Sequence, residues 1–407
     1  MKSRGRNTRV GLLRAGSMLL LGTALLWTVA PAAADTWSQK TKITGADTAN
    51  GDQFGIWVSL DSDTAVVGAS GNNSSTGAMY VFTGSGSSWS QQAKLVGTNV
   101  NAGKDEFGTS VAIDGDTAIA GAPKHIAGSV GTAYVFTRSG ATWNQQAKLV
   151  ASDPAVGAYF GTRVDIEGDT AIVGEGGSSS ADAAYVFTRS GATWTEQQKL
   201  TDAGGGFGDA VAVEGDYAVV GAQYFNGNDG YARVFRRSAG TWTNQTQLTS
   251  SDEAGDYFGV SVDISGDTVA VGAFFANSIK GAVYVFTRSG ETWSQQQKIT
   301  ASDGVAADFF GYRVALQNDT LVVGAHNSDP SGDSSGSVYV FTRSGGTWTE
   351  EQKLTTSDGV ASDMFGVGVA ISGATILGGA SGVTGGANAG AAYIFALPPA
   401  GSLVVIQ

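Results

Sequence analysis

The sequence predicts an all-β fold: a seven-bladed β-propeller built from four-stranded antiparallel blades. Three observations carry this expectation. Phe-Gly recurs at Phe54, Phe107, Phe160, Phe207, Phe258, Phe310 and Phe365, with spacings of 53, 53, 47, 51, 52 and 55 residues. Each recurrence opens a set of four short β-type runs punctuated by Gly, Asp, Asn and Ser, with no helical period between them. A tryptophan-bearing run also occurs seven times, at Trp37, Trp89, Trp143, Trp194, Trp242, Trp293 and Trp348, with its first copy displaced ahead of the first Phe-Gly.

In chain order the first element is a targeting segment. Lys2, Arg4, Arg6, Arg9 and Arg14 precede an apolar run from Met18 to Ala30, and Ala32, Ala33 and Ala34 follow. A basic start, a short apolar stretch and small residues describe a secretory signal peptide over 1–34. The apolar run is shorter than the ~20 residues that span a bilayer, which argues against a membrane anchor. Residues 35–396 then form the propeller and 397–407 a short tail.

Each repeat divides into four strands. Strand A follows Phe-Gly, as in Val111-Ala112-Ile113, and a turn such as Asp114-Gly115-Asp116-Thr117 leads into strand B, which ends in Gly-Ala. Strand C carries Tyr-Val-Phe, and Thr-Arg-Ser-Gly leads into strand D, which begins near Trp and ends in Lys-Leu. One such sheet cannot bury two apolar faces alone, but seven set radially can. The mature chain begins with a D strand, Trp37 to Ile43, and ends with a C strand, Ala391 to Phe395. The first strand is therefore expected to complete the last blade and remove an open edge.

Composition narrows the function classes. The 407 residues include 60 glycines, about twice ordinary usage, and no cysteine. Disulfides, thiol nucleophiles and cysteine-ligated zinc or iron–sulfur centres are excluded. His125 and His326 are the only histidines, so a multi-histidine metal site is nearly excluded as well. Without the signal segment 19 basic residues face 36 acidic ones, a net charge of −17. That surface repels phosphate, so nucleic acid and anionic membranes are not expected partners.

The Phe-Gly and Gly-Ala(-Pro) punctuation, complete once in Gly121-Ala122-Pro123, resembles the FG-GAP repeat family of integrin α-chain heads and bacterial surface proteins. The resemblance covers about residues 36 to 396. It implies the propeller fold, a secreted or cell-surface location, and a role in adhesion or ligand binding. Many family members carry calcium loops of the type Asp-x-Asp-x-Asp-Gly. The nearest stretches here, Asn226 to Gly230 and Asp329 to Asp333, lack alternating carboxylates in register, while calcium takes six to eight oxygens. No cofactor is expected, although the resemblance keeps calcium in view.

Residues repeated in every blade are read as scaffold. Asp116, Asp169, Asp216, Asp267 and Asp319 sit in A–B turns, where Asp bonds local backbone. The strand D tryptophans are read as interblade packing. Arg138, Arg189, Arg288 and Arg343 in the C–D turns are expected to pair with nearby acids. In the D–A loops Asp52, Asp105, Asp256, Asp308 and Asp363 precede Phe-Gly, with Asp47, Asp252, Asp303 and Asp358 upstream. Repetition around the ring favours loop capping over cation binding for these.

Strand direction sorts the connections onto two faces. A–B and C–D turns are short and uniform, whereas B–C and D–A loops vary, seven residues over 70–76 against ten over 326–335. Variable loops on a rigid scaffold are where binding resides. The B–C loops contribute Lys124 and His125, then Tyr224, Phe225 and Asn226, then Phe274, Phe275 and Asn277. The sixth repeat adds His326, Asn327, Asp329 and Asp333. Aromatic rings beside amides and acids suit stacking on sugars or docking a peptide, and the same rings could instead cover the blade tops. Trp57, Arg163 and Arg313 share one position on strand A, either lining the central channel or lying between blades.

No catalytic constellation stands out. Gly332 to Gly336 matches Gly-x-Ser-x-Gly, but that elbow needs a helix after the serine and here a strand follows. The leading expectation is a monomeric, exported, non-enzymatic propeller that binds an extracellular protein or glycan through its B–C and D–A loops. Two alternatives remain open: a secreted hydrolase or lyase using Asp329, Asp333 and His326, and a structural module of the cell envelope.

Overall fold

The computed structural model describes residues 36–100, 104–125, 128–176, 182–202, 205–251, 255–382 and 389–398. Asp252, nearly all of the 397–407 tail and residues 1–35, which include the expected signal peptide, lie outside the described residues.

Seven four-stranded antiparallel sheets make up the fold. The first blade runs Val58–Asp61, Thr64–Ala69, Ala78–Ser85 and Ser88–Leu95, as strands A to D. Five further blades repeat that order. In the seventh, Phe365–Ser372, Thr375–Ala380 and Ala391–Ala396 are joined by Ser38–Ile43 as the fourth strand. That strand pairs antiparallel with Ala391–Ala396, from Ser38 opposite Ala396 to Ile43 opposite Ala392. Strand Phe365–Ser372 in turn packs against Val58–Asp61, so the ring is continuous.

Sequence decides this packing position by position. Strand B, as in Thr64–Ala69 or Thr268–Ala273, is buried along its whole length because blades cover both of its faces. The Phe of Phe-Gly is fully buried and packs on the strand C tyrosine of its own blade, edge-on at 5.3 Å between Phe54 and Tyr80. Burying each such ring stabilises the fold by roughly 1.5–3 kcal/mol.

The glycines of the two motifs face each other across blades. A Cβ on Gly68 would lie 2.1 Å from the Gly108 carbonyl oxygen of the next blade, and one on Gly108 would lie 2.3 Å from the Ala78 carbonyl oxygen. Only a residue without a side chain allows backbones so close. The same pairing recurs around the ring, closing with Gly379 against Gly55.

Polar ties follow the same logic. Residue eight of each strand A repeat accepts a backbone N–H from the next blade, as when Gly115 donates to Asp61 at 2.7 Å and Gly168 to Asp114 at 2.7 Å. The indole N–H of Trp143 donates to Gln92 of the preceding blade at 2.6 Å, and Trp194, Trp242, Trp293 and Trp348 repeat the pattern. Arg138 pairs with the turn carboxylate of Asp116 at 2.7 Å, reaches Thr64 of the preceding blade at 2.9 Å and lies over Trp143. These arginines thus link blades as well as capping turns.

Candidate functional site

The B–C and D–A loops gather on one face of the ring, and their scaffold comes first. Asp52 accepts from the Ala49 N–H at 2.8 Å, Asp308 from Val305 at 2.8 Å and Asp363 from Val360 at 2.9 Å. The upstream carboxylates take a second job: Asp47 accepts from the Tyr80 hydroxyl at 2.7 Å and from Lys94 at 2.6 Å. Asp153 and Asp303 repeat this with Tyr185 and Lys199, and with Tyr339 and Lys353. These bonds hold Asp47, Asp153 and Asp303 below the usual carboxylate range, through the lysine and tyrosine donors and against the opposing effect of burial. The loop carboxylates therefore anchor the loops to strands C and D.

Above that scaffold, aromatic rings from the fourth, fifth and sixth repeats touch in sequence. Tyr224 meets Tyr257 at 6.0 Å, and Tyr257 meets Phe274 at 5.1 Å and Phe275 at 4.9 Å. Phe274 lies edge-on to Phe309 at 5.4 Å and to Tyr312 at 5.7 Å, while Phe275 stacks parallel to Phe309 at 5.8 Å. His326 closes the track, 5.8 Å from Phe309 and 4.3 Å from Tyr312. Tyr224 is 51% exposed, whereas the phenylalanines are half-buried and His326 is buried.

Four of the sequence candidates, Tyr224, Phe274, Phe275 and His326, belong to this track. Tyr257, Phe309 and Tyr312 are members that the sequence reading missed. Tyr257 and Phe309 precede Phe-Gly, a position with positive φ in every repeat, 57° at Tyr257 and 58° at Phe309. Bulky side chains are uncommon in that left-handed region, so aromatic residues placed there are the overlooked signal.

The remaining candidates serve other contacts. Phe225 packs edge-on to Tyr231 at 5.0 Å and joins the core of its blade. Asn226 donates to Asp229 at 2.5 Å, and the other Asp229 oxygen accepts from the Gly255 N–H at 2.8 Å, so this loop spends its carboxylate internally. Lys124 pairs with Glu106 at 2.6 Å. His125 is buried, with Nδ1 against the Asp105 carboxylate and Nε2 2.9 Å from the Lys148 ammonium. Asp329 accepts from the Ser334 N–H at 2.6 Å, and Asp333 is exposed.

His326 Nδ1 is buried with no hydrogen-bond partner among the described residues, and the Arg313 guanidinium acts on it. Burial first, and then that guanidinium, push its imidazole down to about 4. No three His, Asp or Glu side chains among the described residues converge to hold a metal ion.

Inside the ring Trp57, Arg163 and Arg313 line the central channel. The guanidinium carbons of Arg163 and Arg313 lie 4.7 and 4.3 Å from the Trp57 ring centroid. Below them is a cavity of about 170 Å³ lined by strand A residues, including Val58, Val164, Asp165, Val262 and Asp263. Asp165 accepts from the Val213 N–H at 2.8 Å and Asp263 from Leu316 at 2.6 Å. Enclosure by the blades pushes their carboxyls up to about 8 and about 7.

Comparison with known families now places the chain. An FG-GAP repeat model matches 37–82, 89–136, 143–187, 194–235, 242–286, 293–341 and 348–395. The chain belongs to the FG-GAP repeat family. Each matched FG-GAP unit starts at a strand D tryptophan and ends in strand C, one strand out of phase with the blade, which is why the first strand is left to complete the seventh sheet. FG-GAP repeats are typical of extracellular proteins, and no described helix is long and apolar enough to cross a membrane. No curated protein matches the chain.

Proposed function

We propose that this FG-GAP propeller is an exported, non-enzymatic binding module that holds an extracellular protein or glycan on its B–C and D–A loop face. The observation that carries the reading is the aromatic track from Tyr224 to His326, which joins rings of three repeats on the face where loops vary. Rings with one face half-open offer apolar area at low conformational cost and suit sugar C–H faces or buried peptide side chains. The signal-peptide pattern over 1–34 supports export, and the acidic surface disfavours nucleic acid and anionic lipid. The protein acts as a monomer and without a cofactor.

The test is a glycan and extracellular-protein array probed with the purified protein, once with calcium and once with EDTA. Saturable hits unaffected by EDTA support the reading. Hits lost in EDTA assign the binding to a metal-dependent site instead, and a blank array under both conditions contradicts it.

A further inference from the structure

The channel mouth departs from the rest of the molecule in its charge pairing. Arg138, Arg189, Arg237, Arg288 and Arg343 each pair with a turn aspartate. Arg163 and Arg313 make no ion pair among the described residues. Each donates Nη1 to the carbonyl of the preceding residue, Thr162 or Tyr312, at 2.8 Å, and each keeps a buried Nε without a partner. Both guanidinium groups lie close to one indole, and Arg313 also lies 4.3 Å from the Tyr312 ring centroid. His326, packed on that same Tyr312, adds the unpartnered Nδ1 described above.

Two unpaired cations sharing one ring inside a protein are unfavourable unless something negative completes them. The acid whose charge reaches Arg163 is Asp209, but its carboxyl accepts from Gln223 at 3.0 Å and forms no ion pair with either arginine among the described residues. The mutual influence is visible in the groups around them: Arg313 is lowered to about 10 by burial and by Arg163, and Arg313 holds the Tyr312 phenol below its ordinary value. In a chain of strongly acidic net charge, this is a positive mouth inside a negative surface.

Resting on the binding reading above, we propose that the channel mouth is an anion site that takes the carboxylate of an acidic sugar onto the guanidinium groups of Arg163 and Arg313. A planar carboxylate matches the guanidinium fork, and charge-assisted bonds of this kind are the strong ones. Tyr312 and His326 belong to both the mouth and the aromatic track, so a sugar ring whose carboxylate enters the mouth reaches the rings of Phe274 and Phe309. A peptide is the weaker fit, because the loop face offers rings and amides rather than a free strand edge for main-chain pairing.

The experiment is calorimetric titration of the purified protein with trigalacturonate, a hyaluronan tetrasaccharide and sialyllactose, beside neutral galactotriose and an acidic peptide. Saturable binding of at least one acidic sugar is expected, with the neutral sugar weaker by roughly tenfold or more. Arg163→Gln and Arg313→Gln are each expected to weaken it by a similar factor, and Arg163→Lys, which keeps the charge and the packing, by less. Equal binding of acidic and neutral sugars overturns the anion site while leaving the binding reading intact. Binding of the peptide alone overturns the sugar class. Silence toward all three acidic sugars, or acidic-sugar binding indifferent to every arginine variant, overturns the proposal.

Discussion

The Arg313 guanidinium lies 4.3 Å from the centre of the Trp57 indole, although the two residues belong to the sixth and first blades. With Arg163 from the third blade on the same ring, one tryptophan links three sectors of the propeller across its axis. A desolvated cation–π contact stabilises by about 2 kcal/mol, so this small cluster matters to the ring as a whole.

Truncating that indole should therefore be costly. Trp57→Ala is expected to lower stability by about 3 kcal/mol, the low end for loss of a tryptophan side chain. Trp57→Leu refills part of the volume but offers the guanidinium groups no π face, so a substantial part of the loss should persist. Urea unfolding is the appropriate check, since guanidinium salts add a competing cation. Full recovery in the leucine variant would reduce the cluster to simple packing.

The channel carboxylates give the protein a pH dependence of definite sign. Asp165 is held near 8 in the folded chain against about 3.9 in the unfolded one, so the folded state keeps its proton over that interval. Its contribution to stability is present in full below about pH 4 and is lost as the pH rises toward 8. Asp165→Asn can still accept from the Val213 N–H and carries no charge to desolvate. The thermal midpoint of this variant should match the parent near pH 4 and exceed it by several degrees at pH 8 to 9. A difference that stays constant with pH would contradict the assignment.

Removal of the first strand tests the closure of the ring. Residues Ser38–Ile43 cover the edge of Ala391–Ala396, and Gln352 of the sixth blade both accepts from the Trp37 N–H and donates to its carbonyl, each at 2.8 Å. Deleting residues 35–44 exposes that edge and severs this tie, so a marked fall in melting temperature or outright aggregation is expected. An unchanged melt would show that the seventh blade stands on three strands.

The repeat made the architecture legible, because the residues that specify it are those that recur. Phe-Gly, Gly-Ala, Tyr-Val-Phe and the strand D tryptophan each occupy one structural position in every blade, and the reason is visible in the seams between Gly68 and Gly108 or Gln92 and Trp143. The loop face was legible in part. Tyr224, Phe274, Phe275 and His326 stood out as departures from the repeat, but Tyr257 and Phe309 hid in the Phe-Gly punctuation itself. His125 looked like Tyr224 in sequence yet lies beneath the surface, held by Asp105 and Lys148. Whether Trp57, Arg163 and Arg313 faced the axis or a neighbouring blade depended on distances across the ring, which no spacing along the chain encodes.

The central claim is that recognition resides on the face built by the B–C and D–A loops. The direct measurement compares affinity for an array-identified ligand between the parent, Tyr224→Ala with Phe274→Ala, and Ala141→Glu with Ala192→Glu. The last pair alters exposed C–D turns on the opposite face. Loss of roughly tenfold or more in the aromatic variant, with folding intact and the opposite-face variant unchanged, is the predicted result. Retained affinity in the aromatic variant, or loss only in the opposite-face variant, would contradict the account.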